Sequence, residues 1–141
     1  VRMQAPDHGF TITNNGLFAD EEISVGSDRR LKQAIEYRMD KYKNFFMKLK
    51  PAQYQLKAGK SKRLHTGFIA QDVERALLES GLTTNDFAGL TITPVQEVNP
   101  KDGIDDVFYR LRYGEFISLN TYMIQMLYRR ISELEEKIKS L

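Results

Sequence analysis

The sequence predicts an α+β fold, and three observations carry that reading. Residues 1–26 have strand-and-turn composition, residues 28–50 carry helical periodicity closed by a proline, and the last part of the chain holds an unbroken heptad run. In the opening segment, Phe10-Thr11-Ile12-Thr13 alternates apolar and polar, Asn14-Asn15-Gly16 supplies a turn, and Leu17 and Ala19 resume the alternation. That pattern suits a short β-hairpin or one rung of a repetitive β-stem. Alone it is too short to bury a core, so it is expected to depend on neighbours.

From Asp28 to Lys50, Leu31, Ile35, Met39, Tyr42, Phe45, Phe46 and Leu49 recur at steps of three or four, and Pro51 stops the run. The spacing predicts a helix with Ser27 or Asp28 as its cap. Ala52–Leu56 alternates like a strand, and the basic stretch from Ala58 to Arg63 reads as a solvated loop. The stretch beginning at His65 passes into a second helix through Ala76, Leu77 and Leu78, ended by Gly81. Short strands are expected at Leu90–Val95 and Val107–Tyr113, around a middle section containing Pro94, Pro100 and Gly103.

Ile117, Asn120, Ile124, Leu127, Ile131, Leu134, Ile138 and Leu141 form a heptad seam in which Ile fills each a position and Leu each d position except Asn120. Glu133, Glu135, Glu136, Lys137 and Lys139 flank it. More than three heptads of this kind predict self-association through a long helix over residues 113–141. Ile at a with Leu at d is usually a dimer preference in parallel coils, and Asn120 is expected to fix register.

Composition narrows the function classes. The 141 residues fit one domain with a sizeable core, plus an extended arm. Lys and Arg total 21 against 19 Asp and Glu, so a net charge of +2 supplies little of the one-signed field that binds nucleic acid. No cysteine is present, which removes disulfides, thiolate catalysis and cysteine metal sites. No apolar run approaches a membrane span and no signal segment opens the chain, so no membrane partner is expected. The start at Val1 suggests a piece of something longer. Two histidines without cysteine make a metal site unexpected, Asp102, Asp105 and Asp106 reading as a solvated acidic loop, and no cofactor is expected.

The chemistry concentrates at Ser27-Asp28-Arg29-Arg30-Leu31-Lys32, where a hydroxyl and an amine stand five positions apart after a turn-like Val25-Gly26. A serine hydroxyl attacks only when a base takes its proton, and a lysine serves only when its amine is uncharged. Leu31 and Ile35 are candidates for the apolar setting, and the first helical turn for oxyanion donors near Gly26 or Ser27. Gly26 would let the chain turn tightly and expose its carbonyl. Five ideal helical steps leave Lys32 about 140° from Ser27. Either Ser27 lies off the helix, as a cap would, or the amine comes from a neighbouring subunit. The plain alternative is an N-cap followed by solvated arginines and a surface lysine.

Further segments point the same way. Leu49-Lys50-Pro51-Ala52-Gln53-Tyr54, His65-Thr66-Gly67-Phe68-Ile69-Ala70-Gln71-Asp72-Val73 and Tyr109–Phe116 follow the Ser27–Lys32 stretch in order. Together they resemble the intramolecular chaperone domains of peptidase family S74, which end phage tailspikes, endosialidases and neck appendages and also occur in the myelin regulatory factor. The resemblance covers residues 27–141. Where members often carry Asn-Ile after the lysine, this chain has Gln33-Ala34-Ile35, and no role passes to Gln33.

The resemblance implies a homotrimer that registers an upstream β-stalk of the same polypeptide, with residues 1–26 as the end of that stalk and 27–141 as the chaperone domain. It implies single-turnover autoproteolysis by a Ser27–Lys32 dyad, with cleavage at Gly26, Ser27 and Asp28. His65 matches a frequent histidine that orients the base or the scissile carbonyl, its other role being a hydrogen-bonded structural one. Gln71 is read as a turn or helix-start residue, and Gly67, Phe68, Ile69 and Ala70 as packing residues. The implied location is the host cytoplasm during assembly and the virion for the parent protein. Two alternatives remain, a non-cleaving coiled-coil trimerisation module and the corresponding domain of a membrane-tethered transcription factor; the end at Leu141 suits an appendage better.

Overall fold

The computed structural model describes residues 2–4, 9–13, 16–19, 22–58, 61–94 and 107–141. They fall into two units, Val1–Glu36 and Tyr37–Leu141. In the first, β1 (Arg2–Gln4), β2 (Gly9–Thr13) and β3 (Gly16–Ala19) form an antiparallel sheet in that order. Its register, Phe10↔Ala19 through Ile12↔Leu17, is the hairpin that the alternation predicts. The turn residues Asn14 and Asn15 lie outside the described residues, as do Gly59 and Lys60 of the basic loop and the stretch 95–106 with Val95, Pro100, Asp102, Gly103, Asp105 and Asp106.

The continuous helix expected from Asp28 to Lys50 does not form. The chain makes one 3-10 turn at Arg29–Leu31, then runs extended from Lys32 (φ −123°, ψ 151°). It passes Ala34 with a left-handed φ of 50° and makes a second 3-10 turn at Asp40–Tyr42 that leads into α1 (Lys43–Lys48). The apolar stripe has two halves with different fates. Met39, Tyr42, Phe45, Phe46 and Leu49 join the core of the second unit, whereas Leu31 and Ile35 stay 77% and 41% exposed. A helix in a protein is held more by packing of its apolar face than by intrinsic propensity, so the periodicity becomes helix only where a core receives it.

The second unit builds its core from Phe45, Val73, Ala76, Leu77, Phe87, Leu90, Phe116, Leu119 and Met123. α2 (Ala70–Glu79) contributes Val73, Ala76 and Leu77 at steps of three and one, all on the inward face. It ends where Gly81 takes a φ of +74°, so that Leu82 N–H reaches the Leu77 carbonyl and Gly81 N–H the Leu78 carbonyl, both at 3.0 Å. That is the stop expected at Gly81, and only glycine takes such a φ without penalty. Two antiparallel pairs complete the body: β4 (Ala52–Tyr54) with β5 (His65–Gly67), and β6 (Leu90–Pro94) with β7 (Val107–Leu111). The expected strands are thus present, those expected at 52–56 and 107–113 being shorter at their C-terminal ends, and His65–Gly67 is an additional strand where the sequence predicts only the approach to a helix.

α3 (Glu115–Lys139) is a single helix of 25 residues, about 37 Å long at 1.5 Å per residue. It carries two apolar stripes. Phe116, Leu119 and Met123 turn into the core, where the Phe116 ring stands T-shaped to Phe87 at 5.0 Å and stacked on Phe68 at 4.9 Å. The heptad seam faces elsewhere and is open, with Ile117 at 68%, Leu127 at 58% and Ile138 at 68% exposure. Asn120 is exposed with it. No described helix is long and apolar enough to cross a membrane.

Candidate functional site

The serine and the lysine meet. Lys32 Nζ donates to Ser27 Oγ at 2.7 Å, across the one 3-10 turn between them. The angular objection to a regular helix disappears because no regular helix is there: Ser27 precedes the turn and Lys32 leaves it in extended conformation. The cap is Asp28, whose carboxylate accepts from the Arg30 backbone N–H at 2.8 Å. Ser27 therefore does not cap, and its hydroxyl is left to Lys32. The contact lies within one chain, so no neighbouring amine is needed to make it.

Other expectations at the site change. Ser27 and Lys32 are both exposed, and Leu31, itself exposed, does not enclose them. The turn's N–H groups at Arg30, Leu31 and Lys32 are engaged by Asp28 Oδ1, Asp28 O and Arg29 O, so these donors are not open to an oxyanion. Gly26 takes no left-handed φ, and a Cβ there would meet only Leu31 Cδ1 at an ordinary 3.9 Å. The tight turn expected at Gly26 is thus not made; residues 22–28 run without regular structure and exposed.

Arg30, read from the sequence as solvated, holds the Asp28 carboxylate by Nε at 3.0 and 3.2 Å and by Nη2 at 2.8 Å. This contact, followed by the backbone hydrogen bond, keeps the Asp28 carboxyl below its ordinary range and raises the Arg30 guanidinium. An acid at the cap followed two residues on by an arginine was the signal for this clamp.

His65 belongs to the second unit, on β5 opposite Tyr54, and its ring stacks on the Tyr54 ring at 5.6 Å and 16°. Phe68 and Ala70 pack on the core as expected, and Ile69 remains 39% exposed. Gln71 stands in the first turn of α2. Two contacts invisible in the sequence brace this unit. Phe68 N–H donates to Tyr113 Oη at 3.1 Å, an approach open only because residue 67 is glycine, since a Cβ there would lie 2.4 Å from that oxygen. Tyr122 Oη donates to Asp40 Oδ1 at 2.7 Å, tying α3 to the turn before α1.

The class so defined is a small α+β domain with a serine–lysine pair ahead of its body and an open apolar seam on its last helix. Residues 27–82 match the family Peptidase_S74, described as chaperone of endosialidase, so this stretch is similar to the chaperone domains of that family. The matched stretch includes Ser27–Lys32, Leu49–Tyr54 and His65–Val73, and stops before Tyr109–Phe116. Among solved structures, one described as a novel intramolecular chaperon is similar at a TM-score of 0.57 and 24% identity, over 74% of this chain and 99% of that one. At that identity the likeness is one of fold. No curated protein matches.

Proposed function

We propose that this domain is an intramolecular chaperone which trimerises, registers the β-stalk preceding it in the same polypeptide, and then releases itself by one autoproteolytic cut at Ser27. The observation that carries the reading is the 2.7 Å contact from Lys32 Nζ to Ser27 Oγ within a stretch that matches a peptidase family. The open Ile and Leu seam of α3 supports the assembly step, because an apolar face of this length is stable in water only when partners cover it. The partners are two further copies of the chain, and the β1-β2-β3 sheet is the end of the stalk they align.

The reaction starts when the Lys32 amine, uncharged, takes the Ser27 hydroxyl proton. Oγ then attacks the Gly26 carbonyl carbon through a five-membered ring, whereas attack on its own carbonyl would close a strained four-membered one. The tetrahedral carbon expels the Ser27 nitrogen, which takes a proton from the lysine ammonium, and leaves an ester between Gly26 and Oγ. Water hydrolyses the ester, ending one fragment in the Gly26 carboxylate and starting the other at the Ser27 amine. The exposure of Ser27 and Lys32 in the single chain fits a dyad that works only after neighbouring copies cover it. Cutting then follows assembly, and loss of the template leaves a kinetically trapped stalk.

The parent is a phage tailspike, endosialidase or neck appendage, assembled in the host cytoplasm and carried in the virion. A second reading, a clamp that trimerises without cutting, is favoured by the same exposure of Ser27 and Lys32. Intact-mass analysis over time of the longer parent protein with its stalk, beside Ser27→Ala, separates the two. Loss of the C-terminal piece from the parent alone, with the break next to Ser27, supports the first; two stable, uncut trimers support the second.

A further inference from the structure

The serine–lysine pair has a carboxylate beside it. Asp28 follows Ser27 in the chain and caps the same 3-10 turn that Lys32 closes. An ammonium binds a carboxylate more strongly than a neutral hydroxyl. Lys32 nevertheless contacts Ser27. Arg30 explains the choice of partner. Its backbone N–H and Nε both reach Asp28 Oδ1, at 2.8 and 3.0 Å, while Nε and Nη2 reach Oδ2 at 3.2 and 2.8 Å. Both carboxylate oxygens are occupied, in the forked geometry that a guanidinium makes and an ammonium does not.

We propose that Arg30 is a positioning residue of the dyad: by occupying the Asp28 carboxylate, it denies Lys32 a competing partner and leaves the amine on Ser27 Oγ. The inference rests on the proposed autoproteolysis. The Arg30 and Asp28 side chains are 88% and 43% exposed, and an exposed pair contributes little to folding stability. Its effect is therefore on partner choice. A lysine that pairs with a carboxylate is held as the ammonium and has no lone pair with which to take a proton from the serine.

Two variants of the longer parent protein test this, Arg30→Gln and Arg30→Gln with Asp28→Asn. Glutamine cannot fork onto the carboxylate, while asparagine keeps the N-cap acceptor and removes the charge. The single variant is expected to cleave about two- to fivefold more slowly, the range an exposed ion pair spans, and the double variant to recover most of that loss. If Arg30 only braces the turn, the double variant stays as slow as the single one, which overturns the proposal; so does a single variant that cleaves at the parental rate. The parent and Ser27→Ala run alongside, and a parent that stays whole is a failure of the cleavage reading instead. In that event a crystal structure of the Arg30→Gln protein decides: Lys32 Nζ on the Asp28 carboxylate upholds the proposal, and Nζ still on Ser27 Oγ overturns it.

Discussion

Lys32 Nζ and Ser27 Oγ lie 2.7 Å apart because a single 3-10 turn, capped by Asp28 and not by the serine, separates them. A longer helix would have carried the amine round to another face. The break in the expected helix and the meeting of the two side chains are thus one feature, and the catalytic predictions follow from it.

Replacing the base is the first. Lys32→Met keeps an apolar stem of similar length and removes the proton acceptor, so cleavage of the stalk-bearing parent should slow by about 10²–10⁴-fold. Ser27→Ala should abolish it. Trimer formation should survive both changes, since neither residue lies on the α3 seam. Time-resolved intact mass together with light scattering reads all three outcomes, and rapid cleavage in Lys32→Met would remove the lysine from the mechanism.

The seam itself is the second. Ile124→Asp or Ile131→Asp places a charge in an assembled apolar interface, and self-association should be lost in sedimentation equilibrium. The core residues Phe116, Leu119 and Met123 occupy the other stripe, so the helical circular dichroism of the body should persist. Asn120→Leu should act in the opposite sense, raising the melting temperature of the assembly while mixing its oligomeric states. An unchanged assembly in the aspartate variants would mean that α3 is not the interface.

Gly67→Ala isolates one packing contact. Its Cβ would stand 2.4 Å from Tyr113 Oη, forcing the ring away and breaking the hydrogen bond from Phe68 N–H. A loss of about 1–3 kcal/mol is expected from the orphaned N–H and the overpacking. On a domain of this size that is several degrees of melting temperature. Gly67→Ala with Tyr113→Phe should recover more than Gly67→Ala with Tyr113→Leu, because the hydroxyl is the atom the new Cβ meets while the phenyl ring keeps its contacts with Phe68 and Phe116.

Acid should weaken the second unit through two carboxylates. Asp86 is held below its ordinary range, chiefly by the Thr83 backbone N–H at 2.8 Å and then by Lys41; Asp40 is lowered chiefly by the Tyr122 hydroxyl. The unfolded chain therefore takes up protons at these sites before the folded one does. Their contribution is present above the ordinary carboxylate value and is lost as pH falls through the lowered values in the fold. Melting temperature should drop below about pH 4, and Asp86→Asn should flatten that part of the curve while lowering its neutral plateau. A variant with the parental acid slope would show that Asp86 is not one of the groups responsible.

Much of this architecture was legible as local pattern. The hairpin register came from strict alternation, the end of α2 from Gly81, and α3 from a heptad run that no strand could hold. Asp28 was one of two residues readable as a cap. The stretch 28–50 was misread because its spacing is helical throughout while only its second half meets a core. The Tyr113 hydroxyl on Phe68 and the Tyr122 link to Asp40 left no usable trace, since they join residues 45 and 82 positions apart.

By itself the sequence determined which segments favour strand or helix, where two of them stop, and that a hydroxyl and an amine stand five residues apart. Those properties depend on spacing and on the conformational limits of single residues, which act without the rest of the chain. Only the tertiary structure decided that the helical pattern would break after Leu31, that Asp28 and not Ser27 would cap the turn, and that α3 would bury one stripe and leave the other open. The first and last of those outcomes depend on whether a face meets a core, which is set by contacts between residues far apart in sequence, whereas the choice of cap is made by the local contact of Asp28 with the Arg30 N–H.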